Sequence, residues 1–388
     1  MKTKDTQSKK PNIFFRLAAL AITAALVIGA LALVVYRDRL NLDSLQRWLA
    51  YRSVQTDGTG QTALPFTYAG GESVSVAYLN DGILFSSASG AHYYSPAGEL
   101  YAEEVLSMEH PILSASGRCG VVYDAGGQSL FLFQQTQEAF SLSLDGDADL
   151  LSARVNDSGW LTVTAQQSGY KGAVTVYDSH YEKVIEIRLS STFVVDAALS
   201  PDCKTVAIVT INQQGGSFSS QVSFYPVNQT TPTATIDLGT TMVLDLDFEA
   251  DFLWVLGEDS LQIIQNSDHT IRSYNFGSQY LKGCNLNGNG FAMLLLGRYR
   301  TGIATTAVTI GSDGNQLAQL PLHNQVLDFD CNGTYCSLLT GSALTVYSPL
   351  LEEYSVFDKT QNARYTALSR DGRVLLANPQ QAWLYIPN

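Results

Sequence analysis

Basic side chains are scarce over most of this chain. Residues 53–388 carry fourteen Lys/Arg against thirty-three Asp/Glu, whereas residues 1–52 carry nine against three, within a net charge of −13. A body of that sign repels phosphate backbones, which excludes nucleic acid as its partner. Charge of either sign is also low, at 15% of 388 residues, too low for a coiled coil or a disordered chain. Cysteine is sparse: Cys119, Cys203, Cys284, Cys331 and Cys336 are dispersed and odd in number. No disulfide framework is implied, and packed free thiols are expected. Cys331 and Cys336 meet across a turn only if their strands pair. The five histidines, His92, His110, His180, His269 and His323, form neither a close pair nor a His-Glu-x-x-His unit, so no metal site is expected. Nucleophile-elbow, phosphate-loop and dinucleotide-binding glycine motifs are missing, and no cofactor is expected.

Long apolar runs are confined to one. Residues 17–36, LAALAITAALVIGALALVVY, are twenty uncharged positions that as a helix reach about 30 Å, the thickness of a bilayer's hydrocarbon core. The run predicts a single transmembrane helix with the lipid bilayer as its partner. A cleaved signal peptide is the alternative, with Ala30-Leu31-Ala32 as the cleavage site, but apolar residues continue to Val35. Lys2, Lys4, Lys9, Lys10 and Arg16 precede the run and Arg37, Arg39, Arg47 and Arg52 follow it. That asymmetry places the basic tail, residues 1–16, in the cytoplasm and the body outside the cell membrane. Within 37–63, Leu42, Leu45, Trp48 and Leu49 recur at helical steps, predicting a short amphipathic juxtamembrane helix, and a polar linker runs from 53.

From residue 64 to 388 the chain is a succession of short β-type runs, such as Leu130-Phe131-Leu132-Phe133 and Ala173-Val174-Thr175-Val176-Tyr177, divided by Gly, Asn, Asp and Ser. A strand-turn-strand phrase recurs, with turns near 80, 116, 157, 201, 250, 287, 332 and 370, spaced 36 to 49 residues and about 41 on average. That period fits a four-stranded propeller blade. The expected fold is therefore all-β, a β-propeller of about eight blades, seven larger blades being the alternative. The last repeat holds three strand-like runs, and residues 64–70 supply a spare strand to complete it and close the ring.

The clearest turns are Ser200-Pro201-Asp202-Cys203-Lys204-Thr205 and Ser369-Arg370-Asp371-Gly372-Arg373. They resemble the blade turns of WD-repeat-like and TolB-like propellers. The whole layout, a basic tail, one span, an amphipathic stalk and a degenerate propeller, resembles a family of uncharacterised single-pass membrane proteins of Gram-positive bacteria. The resemblance implies an architecture and carries no catalytic residues.

Aspartate recurs at one repeat position: Asp196, then Asp245 with Asp247, then Asp328 with Asp330. The first strand of each blade lines the channel and its side chains alternate, so each pair shares a face. Either these carboxylates converge on a cation or basic ligand, or each accepts hydrogen bonds from amides within and between blades. Ser152, Gly283 and Tyr365 hold nearby aligned places. The run Asp145-Gly146-Asp147-Ala148-Asp149 imitates a calcium loop but has Leu150 and Asn156 where such a loop needs Gly and Glu, and reads as a solvated connection. Arg298-Tyr299-Arg300, at a hairpin tip, is the one basic-aromatic cluster of the acidic body and offers a partner contact, an ordinary solvated hairpin being the alternative. The expected function is a protein-interaction or binding platform for an envelope protein or cell-wall component. The alternative is a propeller that binds or hydrolyses glycans or peptides at the channel mouth.

Overall fold

Short β-forming runs joined by Asn, Asp and Gly turns make narrow antiparallel sheets with two apolar faces, and each sheet must stack on a neighbour to bury both. The structure, a computed structural model, describes Thr23 and residues 62–71, 73–80, 82–214 and 216–387. In it, thirty-two strands form eight four-stranded antiparallel sheets. Blades 1 to 8 span residues 74–105, 111–143, 149–189, 193–237, 243–275, 280–321, 326–357 and 365–385. Strands are lettered A to D from the channel outward. The A strands are Val74–Leu79, Pro111–Ser116, Asp149–Val155, Phe193–Leu199, Val243–Phe248, Tyr280–Gly288, Val326–Asn332 and Tyr365–Leu368. Each lies against the A strand of the next blade, and the A strand of blade 8 returns to that of blade 1. Eight blades overturn the seven-blade alternative, and every A–B turn falls where the repeat placed it.

Blade 8 takes its D strand from the N-terminal side. Phe66–Thr67 pairs with Ala382 and Gln381, preceded by a Thr62–Tyr385 bridge. This closing strand is shorter than the expected run of 64–70. Pro65 has no N–H for the ladder. Tyr68 leaves the strand to stack on Phe85 of blade 1 at 4.2 Å and to donate its hydroxyl to the Asn378 carbonyl at 2.8 Å. Phe66 packs so closely on Gly98, at φ +87°, that a Cβ there would lie 2.3 Å from the phenylalanine. Only glycine fits.

The core sits between blades. Between blades 5 and 6, for example, Trp254, Leu256, Leu294 and Val308 are buried in one cluster, each contributing about 1.5–3 kcal/mol by its burial. A–B and C–D connections lie at one end of the channel, called the A–B face. B–C and D–A connections lie at the other, the B–C face. Thr23 apart, the expected tail, span, juxtamembrane helix and the linker to residue 61 fall outside the described residues. Among the described residues no helix is long and apolar enough to cross a membrane.

Candidate functional site

In blades 3 to 7 the A–B ladder slips by one residue at the same place: between Leu150 and Ser152, Val194 and Asp196, Val243 and Asp245, Leu281 and Gly283, and Val326 and Asp328. Each slip is a β-bulge, and the residue after it is the one the sequence repeat aligns. Where that residue is Asp, its Oδ1 accepts the next residue's N–H: Ala197 at 2.8 Å, Leu246 at 2.9 Å and Phe329 at 2.9 Å. This local capping gives the recurrence of Asp a physical cause. The bulge itself was not read from the sequence, although the shared phrase Val-x-Asp in blades 4, 5 and 7 is its signal.

Beyond the cap, the carboxylates divide into two groups. Arg154, on the A strand of blade 3, joins Asp196 of blade 4 and Asp245 of blade 5. Its Nη2 lies 2.5 Å from Asp196 Oδ2 and 2.6 Å from Asp245 Oδ1, and its Nε lies 3.0 Å from Asp196 Oδ2. Ser152 donates its hydroxyl to Asp196 at 2.5 Å. The sequence repeat aligned Ser152 but passed over Arg154, and nothing near either in the chain marks it as a partner of Asp196. In blade 7, Asp328 Oδ2 accepts the N–H of Thr366 and Asp330 Oδ2 that of Leu368, both at 2.7 Å. Alternate residues of one A strand thus hold alternate amides of the next, and Asn285 of blade 6 donates to Asp330 at 2.8 Å. The structure does not gather the five predicted carboxylates around one point. Among the described residues, no group of three or more His, Cys, Asp or Glu is placed to hold a metal ion.

The channel encloses about 790 Å³, lined by all eight blades and including Arg154, Asp245, Asp247, Glu249, Asp330 and Arg370. At its A–B mouth the Arg370 guanidinium of blade 8 reaches Asp157 of blade 3 at 2.7 Å, and Ser116 of blade 2 donates to the same carboxylate. Arg370 passes over Gly117, where a Cβ would sit 3.3 Å from its Cζ.

Burial pushes Asp247 up to about 7, with Glu249 adding to the rise. Burial also pushes Asp330 up to about 7, against the Leu368 amide and Asn285, and Asp328 up to about 6. A carboxyl whose folded pKa exceeds its unfolded value of 3.8 favours the fold while protonated. That contribution is whole below about pH 4 and is lost as pH rises to about 7. Asp157 and Asp202 have the opposite sign. At Asp157 the Ser116 and Arg370 contacts overcome a burial that alone would raise it. At Asp202 the Ser200 hydroxyl leads the lowering. Stability from these two is present above the usual carboxylate range and fails below it. The unfolding free energy of the full-length protein, read from urea midpoints, should therefore be higher at pH 5 than at pH 8, by on the order of a few kcal/mol. Equal midpoints would refute this account of the channel.

The opposite end of the molecule has a different character. Exposed large apolar side chains concentrate on the B–C face of blades 3 to 7: Tyr170, Phe193, Phe218, Met242, Leu244, Tyr280, Tyr299, Ile303 and Leu327. The bulges contribute, since Leu244 and Leu327 are the extra residues they extrude. Phe218, 62% exposed, stands on a hairpin whose ten-residue strands Thr205–Gln214 and Ser217–Pro226 are the longest in the ring. Basic groups are interleaved. Lys171 Nζ sits 4.6 Å over the Phe193 ring, Arg188 lies 5.4 Å over Tyr170, and Lys282 donates to the Arg300 carbonyl at 2.8 Å. Arg298, Tyr299 and Arg300 are all exposed at the B–C connection of blade 6, Tyr299 at 74%. The predicted basic-aromatic tip is thus one part of a wider surface.

Solved structures with this ring include the C-terminal WD40 domain of Sif2, with a TM-score of 0.56 at 13% identity over 84% of this chain and 96% of that one. The computationally designed Ika8 protein matches with a TM-score of 0.57 at 12% identity, over 83% of this chain and 99% of that one. At such identity the likeness establishes the propeller fold alone. No curated protein matches the chain. Residues 62–358, from the first bridged residue to the end of blade 7, match a family of unknown function, and on that match the chain belongs to the DUF5711 family.

Proposed function

We propose that this protein is a binding platform of the cell envelope, tethered to the cell membrane through residues 17–36, with its propeller outside the membrane and its B–C face turned to a protein partner. The observation that carries the reading is the joint exposure of Phe193, Phe218, Tyr299, Arg298 and Arg300 on one face of an otherwise acidic body. Aromatic and arginine side chains supply most binding energy at interface centres, and a contiguous apolar patch on a soluble surface marks an interaction site. The partner this surface suits is a protein carrying apolar and acidic groups, with a cell-wall component as the alternative. The face is favoured over the channel, because Asp196, Asp245, Asp328 and Asp330 already serve Arg154 and the amides of blade 8. Crosslinking in intact cells, with full-length protein as bait, tests this. The R298A/Y299A/R300A variant should lose the captured partner while keeping its unfolding free energy within about 0.5 kcal/mol of the parent. Unchanged capture by that variant and by F193A/F218A would rule out the face. A tag on the propeller that is inaccessible from outside intact cells would rule out the placement.

A further inference from the structure

Blade 7 is the only described blade whose A–B hairpin places two cysteines opposite each other. Cys331 on its A strand and Cys336 on its B strand are register partners, one step out from the Asn332–Tyr335 pair. The Asn332–Tyr335 pair flanks a two-residue turn, Gly333-Thr334, with Gly333 at φ 60°, the left-handed conformation such turns ask of glycine. The pair flanking a two-residue turn exchanges the hydrogen bonds that close it. The next pair out is therefore non-hydrogen-bonded, the closer of the two kinds, with Cα atoms about 4.5 Å apart. A disulfide spans about 4.4–6.8 Å between Cα atoms, so the backbone needs no rearrangement to be bridged. Both thiols are fully buried, and Cys331 Sγ touches Met293 Sδ at 3.6 Å.

We propose that Cys331 and Cys336 are a disulfide-forming pair that closes the A–B hairpin of blade 7 covalently when the chain meets a disulfide oxidant. The oxidant is a small-molecule disulfide or a thiol–disulfide oxidase. One thiolate of the pair attacks its S–S bond, giving a mixed disulfide and releasing one thiol. The second cysteine displaces the other, so the protein loses two hydrogens and the oxidant becomes two thiols. Burial and the neighbouring Cys336 thiol hold Cys331 well above the usual thiol range in the folded chain, so exchange takes place while the hairpin is open, during folding or local unfolding. Once closed, the bond is shielded from reductant by the same burial. The strand it secures also carries Asp328 and Asp330, which hold blade 8.

The pairing is independent of location, but its closure in the cell rests on the extracytoplasmic placement proposed above, where oxidants persist. Reduced full-length protein is held near its urea midpoint in a glutathione redox buffer and returned to native conditions. It is then denatured with maleimide and digested with trypsin. The peptide 301–359 contains Cys331 and Cys336 and no other cysteine. It should appear lighter by two hydrogens and without adduct, at an oxidised-to-reduced ratio roughly tenfold above that of a control kept in concentrated urea. Cys331→Ser should leave one adduct, on Cys336. Two adducts in the parent, a link to the peptide carrying Cys284, or an equal ratio in the urea control would each overturn the proposal. Trapping thiols in intact cells separates the two readings. Closure in the buffer with reduced thiols in the cell would overturn the placement and leave the pair standing.

Discussion

Arg154→Met is expected to destabilise the propeller by about 3 kcal/mol. Arg154 is the shared cation of Asp196 and Asp245, and its removal leaves two carboxylates facing each other inside the channel. Breaking a buried ion pair from one side costs about 3–5 kcal/mol, because the stranded charge remains desolvated. The lower end applies here, since the Asp245 side chain keeps 41% of its exposure while that of Asp196 keeps 12%. Asp196→Asn with Asp245→Asn should restore most of the loss in the Arg154→Met background. The carboxamide oxygens still accept the Ala197 and Leu246 amides, and no charge is left to strand. Arg154→Lys should recover only part, because an ammonium lacks the planar fork that meets both carboxylates at once. Urea midpoints at unchanged m-value measure all of these. An Arg154→Met unfolding free energy within about 0.5 kcal/mol of the parent would show the clamp to be without energetic weight.

Asp330→Ala is expected to cost about 2–4 kcal/mol, by leaving the Leu368 amide and the Asn285 Nδ2 donors without an acceptor where blades 6, 7 and 8 meet. The position is sensitive because both donors are at the junction of three inner strands, and the outer edge of blade 8 adds little. Its outer strand, Phe66–Thr67, makes only a two-residue ladder. Asp328 and Asp330 hold the inner edge of the seam between blades 7 and 8, beside the apolar cluster that packs Tyr335, Leu339 and Phe357 against Leu368, Trp383 and Tyr385. Asp330→Asn separates the hydrogen bond from the charge. It keeps an acceptor, and above pH 7 it removes a charge that burial opposes, so it should be close to neutral at pH 8. Hydrogen exchange at Leu368 should quicken in the alanine variant and remain slow in the asparagine variant. Alanine and parent proteins with the same midpoint would show that the seam is held by packing alone.

Of these two residues, Asp330 stood at a position the repeat makes legible in the sequence, with partners that were not, whereas nothing in the sequence marked Arg154. The eight A–B turns could be counted directly, because each needs Asn, Asp or Gly to reverse the chain, and that demand repeats once per blade. Asp196, Asp245 and Asp328 could be aligned for the same reason. Arg154 could not be assigned, since its partners lie 42 and 91 residues away and belong to two other blades. Likewise Cys331 and Cys336 stood five positions apart without saying whether they faced each other, until the strand register placed them opposite. The two-residue length of the closing strand and the reach of Arg370 across the channel mouth depend on how the ring shuts.

What this sequence determined by itself is therefore what local chemistry repeats: short β-strands, turns at a period near 41 residues, a strand left over to close the ring, and an aspartate in register on the inner strand. What only the tertiary structure decided is which groups meet across blades. It set Arg154 between two aspartates, spread the amides of blade 8 over Asp328 and Asp330, and gathered the aromatic and basic side chains of blades 3 to 7 on one face. The physical reason is that strand and turn propensities act over a few residues, whereas these contacts arise only when a closed ring brings distant inner strands and loops to a common axis.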